Sequence, residues 1–125
     1  MRFPTGIPLI VKNVKIIGPS GSISVDMILD TGAAFTAISW ADSKLIGYDP
    51  AVIEERMKIV TANGVIEVPK LVLKRITVGD IGTQNVEVIC HNIPELASIR
   101  GMLGLSFLKN FRTVIDYKKG VLEIS

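Results

Sequence analysis

The sequence predicts a mainly β fold, and three observations carry that prediction. Ile, Val and Leu dominate the chain and come in short runs. Gly, Asn, Asp and Pro separate these runs at intervals of about 8 to 12 residues, the rhythm of strands joined by turns. The turns are also chemically specific: Asn63-Gly64 stands between two β-branched runs, the strongest short-range hairpin signal. Strands are accordingly expected at Leu9–Ile16, Ser22–Leu29, Ala37–Ser39, Met57–Thr61, Val65–Pro69, Leu71–Val78, Asn85–Cys90, Arg112–Tyr117 and Val121–Ile124. Gly18-Pro19-Ser20-Gly21, Gly79-Asp80-Ile81-Gly82 and Lys119-Gly120 supply further turns. Two short helical pieces fit between the strands. Ser39 is placed to cap Trp40–Ile46, which Gly47 ends. Gly104–Asn110 spaces Leu105, Phe107, Leu108 and Phe111 as a buried helix of two turns does. Asp49-Pro50 is either a third helix start or only a turn.

Length and composition bound the rest. The 125 residues are enough for one domain, expected to span 1–125, and too few for two independent cores. Fourteen Lys and Arg against twelve Asp and Glu leave a net charge of +2. That balance gives no reason to expect a nucleic-acid partner, which a basic stripe would signal. One cysteine, Cys90, excludes an intrachain disulfide framework, and with His91 as the single histidine no metal or other cofactor is expected. No run approaches the roughly 18 to 20 apolar residues of a membrane span, and Ile7–Val11, broken by Pro8, is short for a signal-peptide core. A cytoplasmic location is the default expectation. The mean hydropathy of +0.44 is high for so small a chain and points to apolar surface hidden in an oligomer.

The informative segment is Met27-Ile28-Leu29-Asp30-Thr31-Gly32-Ala33. A buried apolar strand runs straight into a carboxylate, a hydroxyl and a glycine. Asp is depleted in strands, and burying its charge is costly unless hydrogen bonds meet it. Gly32 permits a backbone turn that residues with a Cβ resist, and Thr31 offers a short, stiff hydroxyl. The pattern holds a carboxylate at a strand end by a tight turn.

This segment resembles the signature of the aspartic proteases. Met102-Leu103-Gly104, followed by the helical Leu105–Phe111, is similar to the family's hydrophobic-hydrophobic-Gly element. Between the two, the hairpin tip Ala62-Asn63-Gly64 sits where the family places its substrate-covering flap. Only one Asp-Thr-Gly is present, so the chain resembles the single-lobed, retropepsin-like members. The resemblance implies a closed β-barrel-like acid-protease lobe with one short C-terminal helix, working as a homodimer. It implies that Asp30 is catalytic and faces the Asp30 of a second copy, because a two-fold axis brings the same patch of each subunit together. Two carboxylates about 3 Å apart share one proton, so one serves as base to a water and the other as acid to the peptide carbonyl. By the same resemblance Thr31 locks the two loops across the axis, Gly32 lets the substrate backbone approach, and Ala33 completes the loop. Ile28, Ile38, Val65, Ile66 and Met102 are the expected pocket walls; all are apolar, so a peptide or protein substrate with hydrophobic side chains at the cut is expected. The chain departs from the retroviral pattern at Ala34 and Leu105, where an acid and an Arg usually pair. Both charges are missing together, which points to an apolar contact in their place.

Other readings stand beside this one. Asp30 also reads as a turn residue accepting backbone N–H bonds, and the fold as a catalytically silent dimer that binds peptides or proteins. A monomeric barrel for a small apolar ligand is a third. Cys90 and His91 are neighbours on a strand and so point to opposite faces, which separates them as a nucleophile and base. Trp40 reads as core or interface, and Asp116 as a surface or hairpin residue.

Overall fold

In the computed structural model, residues 2–4, 9–93 and 99–125 are described, the side chains of residues 3 and 4 excepted. Ten strands and two short helices follow one another along these residues: β1 (Arg2–Pro4), β2 (Ile10–Gly18), β3 (Gly21–Leu29), β4 (Thr36–Ile38), α1 (Trp40–Leu45), β5 (Arg56–Thr61), β6 (Gly64–Val78), β7 (Ile81–Cys90), β8 (Ile99–Leu103), α2 (Leu105–Leu108), β9 (Thr113–Asp116) and β10 (Val121–Ile124). The larger sheet runs β2-β3-β8-β4-β7-β6-β5, and β2 also pairs with β6 through Lys15–Thr77, Ile16–Ile76 and Ile17–Arg75. That second pairing closes β2, β3, β8, β4, β7 and β6 into a six-stranded barrel and leaves β5 outside it. A small antiparallel sheet, β1-β10-β9, stands apart. Among the described residues no helix is long and apolar enough to cross a membrane.

Alternation explains the core. Val11, Val14, Ile16, Val25, Met27, Leu29, Leu73, Ile76, Val78, Val86, Val88 and Leu103 are buried together with Phe107 of α2 and Leu122 and Ile124 of β10. Successive strand residues point to opposite faces, so these positions fill the barrel and their neighbours look outward. In β2 the alternation slips: Val11 and Val14 both face the core because a bulge lies between them. Asn13 takes a φ of 57° there, and its N–H donates to Asp26 Oδ1 at 3.0 Å.

Sequence and structure differ at instructive places. Val65–Pro69 and Leu71–Val78, expected as two strands, form the single strand β6. Pro69 marks the point where β6 changes partner, from β5 through residue 69 to β7 from Lys70 onward. A residue without an N–H fits that junction. The β5–β6 turn is made by Ala62 and Asn63, and Gly64 follows with a φ of 110°. Asn63-Gly64 therefore straddles the end of the turn rather than forming both central positions. Both expected helical pieces form, each shorter than expected: Trp40–Leu45 as α1 and, toward the C-terminus, Leu105–Leu108 as α2. The Ser39 cap is as expected: its Oγ accepts from Asp42 N–H at 3.0 Å, and Gly47 follows with a φ of 104°. Asp49-Pro50 is only a turn, with Asp49 Oδ1 accepting from Ala51 N–H. Strands β1 and β8 had no counterpart in the sequence reading.

Candidate active site

The Asp-Thr-Gly segment leaves β3 beside a strand that does the same thing. β3 and β8 run parallel, with Ile28 opposite Met102 and Leu29 opposite Leu103. Each then enters a glycine-containing loop, Asp30-Thr31-Gly32 on one side and Gly104 on the other. The two loops are stitched by backbone bonds. Asp30 N–H donates to Leu103 O at 2.9 Å, Leu105 N–H to Ala33 O at 2.8 Å, and Ser106 N–H to Ala34 O at 2.9 Å. A Cβ on Gly104 would collide with the Phe35 carbonyl and lie 2.8 Å from Ala33 O, so only glycine fits this crossing.

A buried polar knot lies behind the loops. Thr36 Oγ1 accepts from Gly104 N–H at 3.1 Å and from the Ser106 hydroxyl at 3.1 Å. Ser106 Oγ in turn accepts from Thr36 N–H at 2.8 Å. Thr36 is fully buried and Ser106 nearly so. Every polar atom of the knot is met, which makes it a rigid support rather than a burden.

Asp30 is half-buried at the tip of this support. Its Oδ1 accepts from Gly32 N–H at 2.8 Å, a local turn that fixes the carboxylate and requires a tight approach at residue 32. Ala33 N–H donates to Asp30 O at 3.3 Å and completes the turn. Thr31 and Gly32 are exposed, as are Ala34 and Leu105, the latter by 43%. No ion pair is needed between residues 34 and 105, because backbone bonds already bind loop to helix. Both side chains at this junction are exposed.

Beside the loop is a cavity of about 440 Å³. Gly32, Ala33, Ala34 and Phe35 form one side and Met57, Ile59, Val60 and Thr61 of β5 another; Ala37, Ile89 and Met102 with His91 and Ile93 complete it. Its floor follows from strand register. Ile28, Met102, Ala37 and Ile89 are opposite one another across β3, β8, β4 and β7, and so share the outward face of the barrel. Around them gathers a second apolar cluster of Ala37, Val68 and Ile89 with Phe35, Met57, Ile59, Ile66 and Met102. The β5–β6 hairpin covers this cluster. Lys70 anchors the hairpin's base: its ammonium lies 5.0 Å from the Phe35 ring centre and pairs with Glu55 at 3.5 Å and Glu87 at 3.6 Å.

Of the expected pocket walls, Met102 lines the cavity and Ile66 packs into the cluster beneath it. Ile28 shares the floor's face but lies beyond the cavity's edge. Ile38 is a correction: it is 1% exposed and belongs to the barrel core. On β4 the outward position is Ala37, one residue earlier. Val65 is 64% exposed opposite Val60 on the hairpin and does not line the cavity. The tip residues Ala62, Asn63 and Gly64 are exposed. Sequence reasoning missed Phe35, Met57, Ile59, Ile89 and His91. Residue parity on β7 was the available signal, since a core Cys90 turns Ile89 and His91 to the other face. Cys90 is fully buried, 3.3 Å from Ser43 Oγ, and burial pushes its thiol pKa up.

The comparisons with known proteins agree with this geometry. Residues 19–110 match the family described as "gag-polyprotein putative aspartyl protease". An uncharacterized protein in the cobV 5′ region of a Sinorhizobium species is 32% identical over 84 residues, 67% of this chain and 35% of that protein. The chain thus spans about a third of the length of this curated relative. Among solved structures, the crystal structure of a retropepsin-like aspartic protease from Rickettsia conorii superposes with a TM-score of 0.72. It is 20% identical, and the match covers all of this chain and 97% of that one. The chain belongs to the retropepsin-like aspartic protease family.

Proposed function

We propose that the chain is an aspartic endopeptidase, with water activated by Asp30 carboxylates paired across a homodimer axis. The observation that carries this reading is the placement of Asp30. A half-buried carboxylate, fixed by Gly32 N–H, stands where the Asp30–Ala33 loop meets an apolar cavity large enough for a side chain. Hydrolysis of a peptide bond needs a base to take a proton from water and an acid for the carbonyl oxygen. One Asp30 carboxylate removes the water proton as the water oxygen bonds to the carbonyl carbon. The Asp30 of the second copy, protonated, gives its proton to the carbonyl oxygen. When the tetrahedral species collapses, the C–N bond breaks: the first Asp30 gives its proton to the departing amine, and the second takes one back from a hydroxyl on the tetrahedral carbon, which restores the starting pair.

The homodimer follows from having one motif per chain and chemistry that needs two carboxylates. Thr31, Ala34 and Leu105 supply exposed surface around the loop for the partner to cover. The hairpin tip at Ala62-Asn63-Gly64 acts as the flap over bound peptide. The 84% exposure of Val60 is apolar surface of the kind that a substrate or partner covers. The natural substrate is a peptide or protein with hydrophobic side chains at the cut.

The test is digestion of a peptide library at several pH values between about 3 and 7, a range that brackets carboxylate-dyad chemistry. Unsubstituted protein runs beside Asp30→Asn at high protomer concentration. Cuts between hydrophobic residues, made by the unsubstituted protein alone, are expected. Identical cuts from both proteins, or none from a folded dimer, would overturn the reading and favour a binding module of the same fold.

A further inference from the structure

The cavity's polar inventory is small. Among the described residues that line it, only Thr61 and His91 have side chains that carry nitrogen or oxygen. The Thr61 hydroxyl is already used: it donates to Gly64 O at 3.0 Å and accepts from Asn63 N–H at 3.3 Å. His91 differs. Its backbone is fixed by an N–H bond to Ile38 O at 2.9 Å, while its imidazole has no hydrogen-bond partner among the described residues. It is the one ionisable side chain among the described residues lining the cavity. The same cavity is lined by Phe35, Met57, Ile59, Ile89 and Met102, an aromatic ring, two thioethers and two branched chains.

We propose that His91 determines the specificity of this cavity, and that the cavity takes a tyrosine side chain in preference to phenylalanine. The inference rests on the peptide-hydrolysing reading of the site and names the side chain that the site selects. The walls demand a large apolar body, and rings gain from contact with Phe35 and with the methionine sulfurs. One imidazole, with no hydrogen-bond partner among the described residues, matches one polar atom. It holds at least one N–H donor in either protonation state, so a phenolic oxygen always has a partner. Glutamine would bring two polar atoms to one partner, and glutamate would bring a charge to a mostly apolar wall. Phenylalanine fits the walls but leaves the imidazole unmet. Lys70, stationed over the Phe35 ring, keeps that wall in place.

The test separates binding from turnover. Two capped peptides, identical but for one central Tyr or Phe, are titrated calorimetrically into Asp30→Asn protein. Asparagine can still accept the Gly32 N–H, so the loop persists without cleavage. One hydrogen bond at a half-open site predicts a Tyr preference of roughly three- to tenfold. Adding His91→Leu should bring the ratio to one or below, and adding His91→Gln, which keeps a donor, should retain a preference. Equal or tighter binding of the Phe peptide, an unchanged ratio in His91→Leu, or no measurable binding of either peptide would overturn the inference. Cleavage of the same peptides by protein with Asp30 intact reports on the catalytic reading separately. Cutting without a Tyr preference sinks the inference alone. Binding with the Tyr preference but no cutting sinks the catalytic reading alone.

Discussion

Replacing Thr36 by valine removes one oxygen from the centre of the loop support and keeps the side-chain shape. That oxygen accepts from Gly104 N–H and from the Ser106 hydroxyl, both in a buried setting. Valine leaves the Gly104 N–H with no acceptor, and the Ser106 hydroxyl must also turn elsewhere. An orphaned buried donor costs about 1 to 3 kcal/mol, and the hydroxyl adds a smaller share because it can rotate. A destabilisation of about 2 to 3 kcal/mol is therefore expected. With a urea slope of about 2 kcal/mol/M for a chain of this size, the unfolding midpoint should fall by roughly 1 to 1.5 M. The assay is urea denaturation at fixed protomer concentration, since the stability of the proposed dimer would depend on that concentration. Thr36→Ser keeps the oxygen and should recover most of the loss. Peptide cleavage should fall further in Thr36→Val than the folded fraction does, because Gly104 and Leu103 also hold the Asp30 loop. A midpoint within 0.3 M of the starting protein, about 0.6 kcal/mol, would show that Thr36 does not support the loop in this way.

Other outcomes follow from the same structure. Gly104→Ala should abolish both folding yield and cleavage, because its Cβ meets the Phe35 and Ala33 carbonyls; soluble, active protein would contradict the packing. Asp30→Asn should unfold within about 1 kcal/mol of the original in urea, since Asn Oδ1 still accepts from Gly32 N–H, while cleavage is lost. Cys90 should resist thiol reagents in the folded protein and react on unfolding, because it is fully buried and its thiol pKa is raised by burial. That raised value makes the folded state hold its proton more tightly than the unfolded chain does. Stability should therefore be intact below about pH 8.5 and decline as pH rises beyond it. Cys90→Ala should flatten that decline, and an unchanged pH profile would refute it.

Much of this arrangement is legible in the residues because local chemistry and strand period act together. The Met27–Ala33 run shows a strand ending on a carboxylate, and Ser39 marks the start of α1 by its cap. Met102-Leu103-Gly104 stands out as an element before a helix, and the structure adds the reason for its glycine: the Phe35 carbonyl lies where a Cβ would be. What stays hidden depends on partners distant in sequence. β8 is short and gains its place by lying parallel to β3, a pairing that no local signal announces. Pro69 looks like a strand break, and only the two partners of β6 explain why one strand passes through it. The cavity was harder still. Ile38 and Ala37 differ by one step on a three-residue strand buried on both faces, so hydrophobicity cannot say which looks outward. Phe35, Ile89 and His91 come together only after β4, β7 and the hairpin have been placed against one another.

In the proposed enzyme, two Asp30 carboxylates from two copies make one catalytic site. The most direct test mixes unsubstituted protein with Asp30→Asn at constant total concentration, allows the copies to exchange, and follows cleavage of a peptide drawn from the library digest. If both carboxylates are required, only pairs of unsubstituted copies cut, and an equal mixture should retain about one quarter of the full rate under random pairing. A rate of about one half, proportional to the amount of unsubstituted protein, would mean that each copy acts alone and would contradict the account.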